Sequence, residues 1–189
     1  FNVSGVNYVA WCWKAGDHDD NLPQINTEGT IDSVVSVNDA AGFSIVKWTG
    51  NGTNGATIGH GLSNSPEIII TKGLSNTTSW IVGIGGVSGF GVNDYMTLQT
   101  TAAKGSTTTF YQAYNADTFQ VGVSSANEMN KNSSNDYISY CFTSITGYQK
   151  IGSYTGTGAV NNQINVGFRP RFVMIKASSA TTYGHWIMF

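Results

Sequence analysis

The densest group of metal-ligand side chains in the chain is Asp17-His18-Asp19-Asp20-Asn21. Hard carboxylate oxygens this close together suit Ca²⁺. The run lacks the glycine-centred 12-residue frame and distal bidentate glutamate of an EF-hand, so a solvated turn is the favoured reading. Cation binding by Asp17, Asp19 and Asp20 is left to a chelation experiment, in which a bound metal would show as a lowered melting temperature. His60, between Gly59 and Gly61, has the side chain of a general base, but no nucleophile with a recognised signature lies near it. Glu28, Glu67 and Glu128 are the glutamates available for paired-carboxylate glycoside cleavage, which requires two carboxyl groups roughly 5 to 9.5 Å apart in space. No Gly-x-Ser-x-Gly elbow, His-Glu-x-x-His pair or P-loop is present, and glycine-rich 83–91 lacks the lysine that phosphate binding needs. These residues predict no catalytic centre, no resident metal and no cofactor. Trp11, Trp13, Trp48, Trp80 and Trp186 could stack on sugar rings. Ligand-binding residues cannot be assigned from spacing alone.

Any such side chain has to be positioned by the strands, and the strands are written twice. The stretch from Gly42 to Lys72 recurs from Gly147 to Lys176. Trp48-Thr-Gly-Asn-Gly52 matches Tyr154-Thr-Gly-Thr-Gly158, and Gly61-Leu62 matches Gly167-Phe168. Pro66 followed by Ile68, Ile69, Ile70 and Lys72 matches Pro170 followed by Phe172, Val173, Met174 and Lys176, while Trp80-Ile81 recurs as Trp186-Ile187. A near-constant offset over so many positions marks a repeated structural unit. His60 aligns with Val166, Glu67 with Arg171 and Ser79 with His185, so none of these polar groups belongs to the common design. Trp48, Trp80 and Trp186 recur as aromatics, which suits core packing; only Trp13 borders a nonrepeating loop.

Alternation in Tyr8-Val-Ala-Trp-Cys-Trp13 predicts a strand covered on both faces, the counterpart of Tyr137-Ile-Ser-Tyr-Cys-Phe142. Cys12 and Cys141 are expected to fill the same small apolar slot, each in its own unit, rather than to form a disulfide. Residues 14–39 read as a turn-rich connector with one short strand. Strands are predicted at 43–48, 56–58, 68–70, 80–83, 95–100, 107–114, 118–123 and 137–142, with a polar loop at 128–136. Pro66 opens the strongest of them at no cost in ladder hydrogen bonds. No sustained helical period occurs, and abundant Gly, Thr and Asn lower helix propensity throughout. The expected fold is all-β, as tandem antiparallel β-sandwich units of jelly-roll-like kind. Residues 1–41 are then the closing strand of a preceding unit plus a connector, 42–146 a complete unit, and 147–189 the start of a second, truncated one. Phe1 is not an initiator methionine, and the chain is expected to begin and end inside a longer polypeptide.

Only 11% of the 189 residues are charged, against about 25% in an average soluble domain, and the formal net charge is −2. Uncharged polar residues therefore face water, and no basic field is available to hold nucleic acid or anionic lipid. No apolar run is long enough to span a bilayer as a helix.

Tyr8-Val-Ala-Trp-Cys-Trp-Lys-Ala-Gly16, Ala41-Gly-Phe-Ser-Ile-Val46, Thr49-Gly-Asn-Gly52, Gly59-His-Gly-Leu62 and Tyr137-Ile-Ser-Tyr-Cys-Phe142 together set the chain beside a known repeat. It resembles, over nearly its whole length, a β-rich repeat domain of unknown function found in tail-fibre and other virion structural proteins of marine tailed bacteriophages. That resemblance implies a noncatalytic structural role in an extracellular virion, with other virion proteins and identical chains as partners and a host-surface glycan as a further one. Nucleic acid and membrane are not expected partners. Two other functions are kept open: a carbohydrate-binding or host-receptor recognition module, and a bacterial extracellular adhesin repeat.

Overall fold

The computed structural model describes residues 4–8, 10, 12–16, 24–131, 135–179, 182 and 184–189. Thirteen strands are assigned among these: β1 (Gln24–Asn26), β2 (Ser33–Asn38), β3 (Phe43–Thr49), β4 (Ala56–Gly59), β5 (Ile68–Gly73), β6 (Trp80–Gly83), β7 (Asp94–Thr97), β8 (Gly105–Ser106), β9 (Tyr111–Tyr114), β10 (Thr118–Val121), β11 (Asp136–Phe142), β12 (Met174–Ile175) and β13 (Ile187–Met188). A single 3₁₀ turn, Asp39–Ala41, is the helical element among the described residues. The strands form an eight-stranded sheet in the order β1-β2-β3-β11-β5-β6-β7-β8, a three-stranded sheet β4-β10-β9, and the β12-β13 hairpin. Neighbouring strands are antiparallel throughout.

The all-β expectation holds, and the two larger sheets enclose one core. β11 lies at the middle of the large sheet because it carries small or aromatic residues on its inner face. Tyr137 faces Trp48 and Gly73, Ser139 faces Val46 and Thr71, and Cys141 faces Ser44 and Ile69. Ala56, Ile58, Tyr111, Phe119 and Val121 of the small sheet meet that face, forming a cluster with Val35, Val46, Trp48, Ile69, Ile81, Tyr137 and Cys141. A Cβ on Gly83 would lie 2.4 Å from ring carbons of Tyr111, so glycine in β6 is what allows this tyrosine to lie across the strand. Outward-facing Ile68, Ile70, Val82 and Met96 belong to a second cluster, joined by Ile151 and Trp186 from the second copy.

The second copy reproduces the first locally. β5 pairs with β6 as Ile70↔Val82 and Thr71↔Ile81, and β12 pairs with β13 as Met174↔Met188 and Ile175↔Ile187. Under the sequence alignment these are the same two pairs. Lys72 Nζ donates to the Thr78 carbonyl at 2.7 Å across the first hairpin, and Lys176 Nζ donates to the carbonyl of Gly184, the residue matching Thr78, across the second. Gly42, Gly52 and Gly61 have φ of 65°, 72° and 73°, and their counterparts Gly147, Gly158 and Gly167 have 77°, 70° and 82°. Left-handed backbone at three matched glycines is a conformational repeat as well as a sequence repeat.

Beyond the hairpin the copies diverge. Residues 148–155, counterpart of β3, form no assigned strand, only the isolated bridge of Gln149 to Ile145. In the first unit β3 is held between β2 and β11, and residues 147–189 contain no counterpart of β11. Tyr8, Ala10 and Cys12, expected on a doubly covered strand, are exposed, and no strand is assigned among the described residues before β1. Cys12 consequently occupies no apolar slot, whereas Cys141 is fully buried; both are free thiols. The difference is the covering layer: Cys141 faces the three-stranded sheet, and among the described residues no second sheet covers Cys12. Smaller corrections concern ends. β1 lies in the expected connector, the strand predicted at 107–114 is shortened to β9 with the unpredicted β8 just before it, and that at 95–100 ends at Thr97.

Candidate functional site

Among the described residues, those with chemical potential do not converge. Asp17, His18, Asp19 and Asp20, together with Trp11, lie outside the described residues. Among the described residues no group of three or more His, Cys, Asp or Glu is arranged to hold a metal ion. His60 is fully buried just beyond β4, where Nδ1 accepts from Leu62 N–H at 3.1 Å and Nε2 lies 3.2 Å from the Asn115 carbonyl. With Nε2–H as the donor, both ring nitrogens are satisfied by the neutral imidazole. Burial holds its pKa below the ordinary histidine value. It fastens the β4 loop to the turn before β10. His185 is exposed in the turn before Trp186.

The glutamates are dispersed as well. Glu67 accepts from Ser144 N–H at 2.5 Å, Glu128 accepts from Ser124 Oγ at 2.6 Å, and Glu28 is exposed beside an open polar depression shared with Asn26, Ser63 and Asp117. Asp94, nearly buried at the start of β7, is held by Lys104 at 2.8 Å, and that hydrogen bond lowers its pKa. It stitches β7 to the segment leading into β8.

Four tryptophans are described, and three are committed to packing. Trp48 stacks on Tyr137 at 4.4 Å and donates to Ser139 Oγ at 3.1 Å. Trp80 stacks on Tyr140, and Trp186 donates to the Thr97 carbonyl at 3.1 Å. Trp13, more open, meets Phe172 edge-on at 5.5 Å. Four buried polar groups between the sheets form a chain: Trp48 Nε1, Ser139 Oγ, Thr71 Oγ1 at 2.7 Å, and the Tyr111 hydroxyl, 2.7 Å from Thr71 Oγ1 and 3.2 Å from the Ile69 carbonyl. Burial raises the pKa of Tyr111 well above the ordinary phenol value, so the hydroxyl stays protonated. Each of these groups has a partner, and the chain positions the two layers against each other.

What stands apart on the surface is apolar. Of the fourteen large hydrophobic residues exposed among those described, ten lie before residue 16 or after residue 147, so unsatisfied apolar area is concentrated in the chain's two ends. Matched positions show the contrast directly. Trp48 is 2% exposed and Tyr154 50%; Ile81 is 1% exposed and Ile187 46%; Val82 is fully buried and Met188 is 47% exposed. The same positions are core in one copy and surface in the other. Large apolar side chains left open at positions that are core in the matched copy are area that a covering layer would bury. Tyr154 and Ile187 were visible in the sequence as matched positions of the repeat; no sequence signal showed which copy would acquire a covering sheet.

No curated protein and no solved structure matches the chain. The family model described as a domain of unknown function, DUF7483, matches residues 1–189. With that match running from end to end of two strand hairpins built to one register, the chain is a member of the DUF7483 family.

Proposed function

We propose that this chain is a noncatalytic structural element of a phage virion, a tail-fibre or appendage component made of tandem antiparallel β units of sandwich type. One observation carries the reading: a second hairpin repeats the register of the first, yet its counterpart core positions remain uncovered. Units of that kind acquire a complete core by association, with further units or with identical chains, and association also protects open sheet edges. The virion assignment is supported by the motif resemblance and by a surface of uncharged polar residues with few charges. Its mechanism is mechanical: each unit buries apolar strand faces, presents polar loops, and spaces or displays an adhesive end. Other virion proteins are the partners, and a host-surface glycan is a ligand for that end rather than for the packed tryptophans.

The experiment is localisation. Antibodies against the chain should decorate an appendage of purified particles in electron micrographs. Particles that carry no label, with label on a bacterial surface instead, would replace the virion role with that of an adhesin.

A further inference from the structure

We propose that the stretch carrying Cys12 and Trp13 is the closing strand of the second unit, pairing with β12 in the register that β11 uses with β5. The sequence repeat relates Trp13 to Phe142 and Phe172 to Ile68, and in the first unit Phe142 and Ile68 are direct cross-strand partners. Trp13 and Phe172 lie in contact, rings 5.5 Å apart and nearly perpendicular. A contact between the counterparts of a paired couple, from opposite ends of the chain, is what a shared register produces. Asn38 Nδ2, donating to the Lys14 carbonyl at 3.1 Å, ties the chain just past Trp13 to the end of β2.

The edge on which that strand would lie is defined by the hairpin. Val173 and Phe189 exchange both backbone hydrogen bonds, N–H of each to O of the other at 3.1 and 3.0 Å, so Val173 directs its backbone groups towards β13. In an antiparallel sheet the neighbouring residues direct theirs the other way. Phe172 and Met174 therefore turn N–H and C=O to the side that β11 occupies beside β5. In the proposed register the segment before β1 would bring Tyr8, Cys12 and Trp13 to this edge, of which Trp13 already touches Phe172. Under this reading the second unit is assembled from both ends of the chain, and the first is an excursion between its halves. The inference rests on the duplicated framework and is independent of the virion role.

The register places Cys12 opposite Val173, as Cys141 lies opposite Ile69. Leu74 N–H bonds the Asp136 carbonyl at 2.7 Å in line with that ladder, which makes Cys141↔Ile69, and hence Cys12↔Val173, a non-hydrogen-bonded pair. Cα atoms of such pairs are about 4.5 Å apart, within the range of disulfides. In Val173→Cys, mild oxidation should join Cys12 to the introduced thiol within one chain at least tenfold faster than in Val160→Cys, whose residue is highly exposed and outside the hairpin. Equal rates, or interchain disulfides alone, would overturn the proposal. Amide exchange in the unsubstituted chain covers the case where Val173→Cys perturbs folding: Phe172 and Met174 should exchange at least tenfold more slowly than residues 160–164. Exchange as fast as in 160–164 would overturn it equally.

Discussion

Replacing Trp48 tests how unequally the two copies bear the fold. Its ring is buried, stacks on Tyr137 at 4.4 Å with 19° between planes, meets Phe119 of the other sheet edge-on at 6.5 Å, and donates to Ser139 at 3.1 Å. Truncating a core aromatic to alanine costs about 3–5 kcal/mol. Ser139 keeps Thr71 as a hydrogen-bond partner at 2.7 Å, so no orphaned hydroxyl adds to that figure. Trp48→Phe retains the stack and removes the N–H donor, with a predicted loss of about 1–2 kcal/mol from the hydrogen bond and lost ring volume. Tyr154→Ala changes the matched but half-exposed ring and should stay within about 0.5 kcal/mol. Against a typical domain stability of about 5–15 kcal/mol the first change is severe and the last negligible. Urea unfolding followed by far-UV circular dichroism, compared at equal slope, measures all three. A loss below about 1.5 kcal/mol for Trp48→Ala, or Tyr154→Ala costing as much, would refute the reasoning.

Further outcomes follow from buried titratable groups. The folded pKa of His60 lies below its ordinary 6.5, so as pH falls the unfolded chain takes up the proton first. Stability is complete above that value and declines as pH drops through it towards the folded pKa, by at most about 1.4 kcal/mol per pH unit. Urea midpoints between about pH 7.5 and 5.5 should fall in the unsubstituted chain and flatten in His60→Gln; an unchanged slope would remove His60 as the cause. Burial pushes the Cys141 thiol up to about 12, while Cys12 is exposed. A thiol reagent should therefore modify Cys12 in the native protein and both cysteines in denaturant, and rapid native modification of Cys141 would contradict the described core.

Strand existence was legible in the first unit where both faces were apolar or strictly alternating. Ile68-Ile-Ile70 and Tyr137 to Phe142 became the two central strands, and the hairpin equivalence of Trp80 and Trp186 was readable from the repeat. Exposure was not legible. The same alternation in Tyr8 to Trp13 and in Tyr137 to Phe142 predicted equal burial, but burial depends on a second layer, and only the latter segment faces β4, β9 and β10. His60 shows the converse. The sequence showed it only as a histidine between two glycines, whereas Gly61 lies against Val37 and the ring is held by a contact distant in sequence. β1 escaped because Gln24-Ile-Asn26 is short and carries a single apolar residue, with pairing to β2 supplying its order. No alignment of carboxylates emerged from spacing, and in the fold Glu67 is engaged by the distant Ser144 N–H and Glu128 by the nearby Ser124 hydroxyl.

The measurement closest to the core of this account is a nuclear Overhauser map of the second hairpin in solution. Because Val173 and Phe189 form the hydrogen-bonded pair, Met174 and Met188 should give a strong contact between α protons, as Ile70 and Val82 should in the first copy. A contact shifted by one residue, from Met174 to Ile187 or to Phe189, would mean that the two copies pair differently and that a shared strand framework is not what this chain repeats.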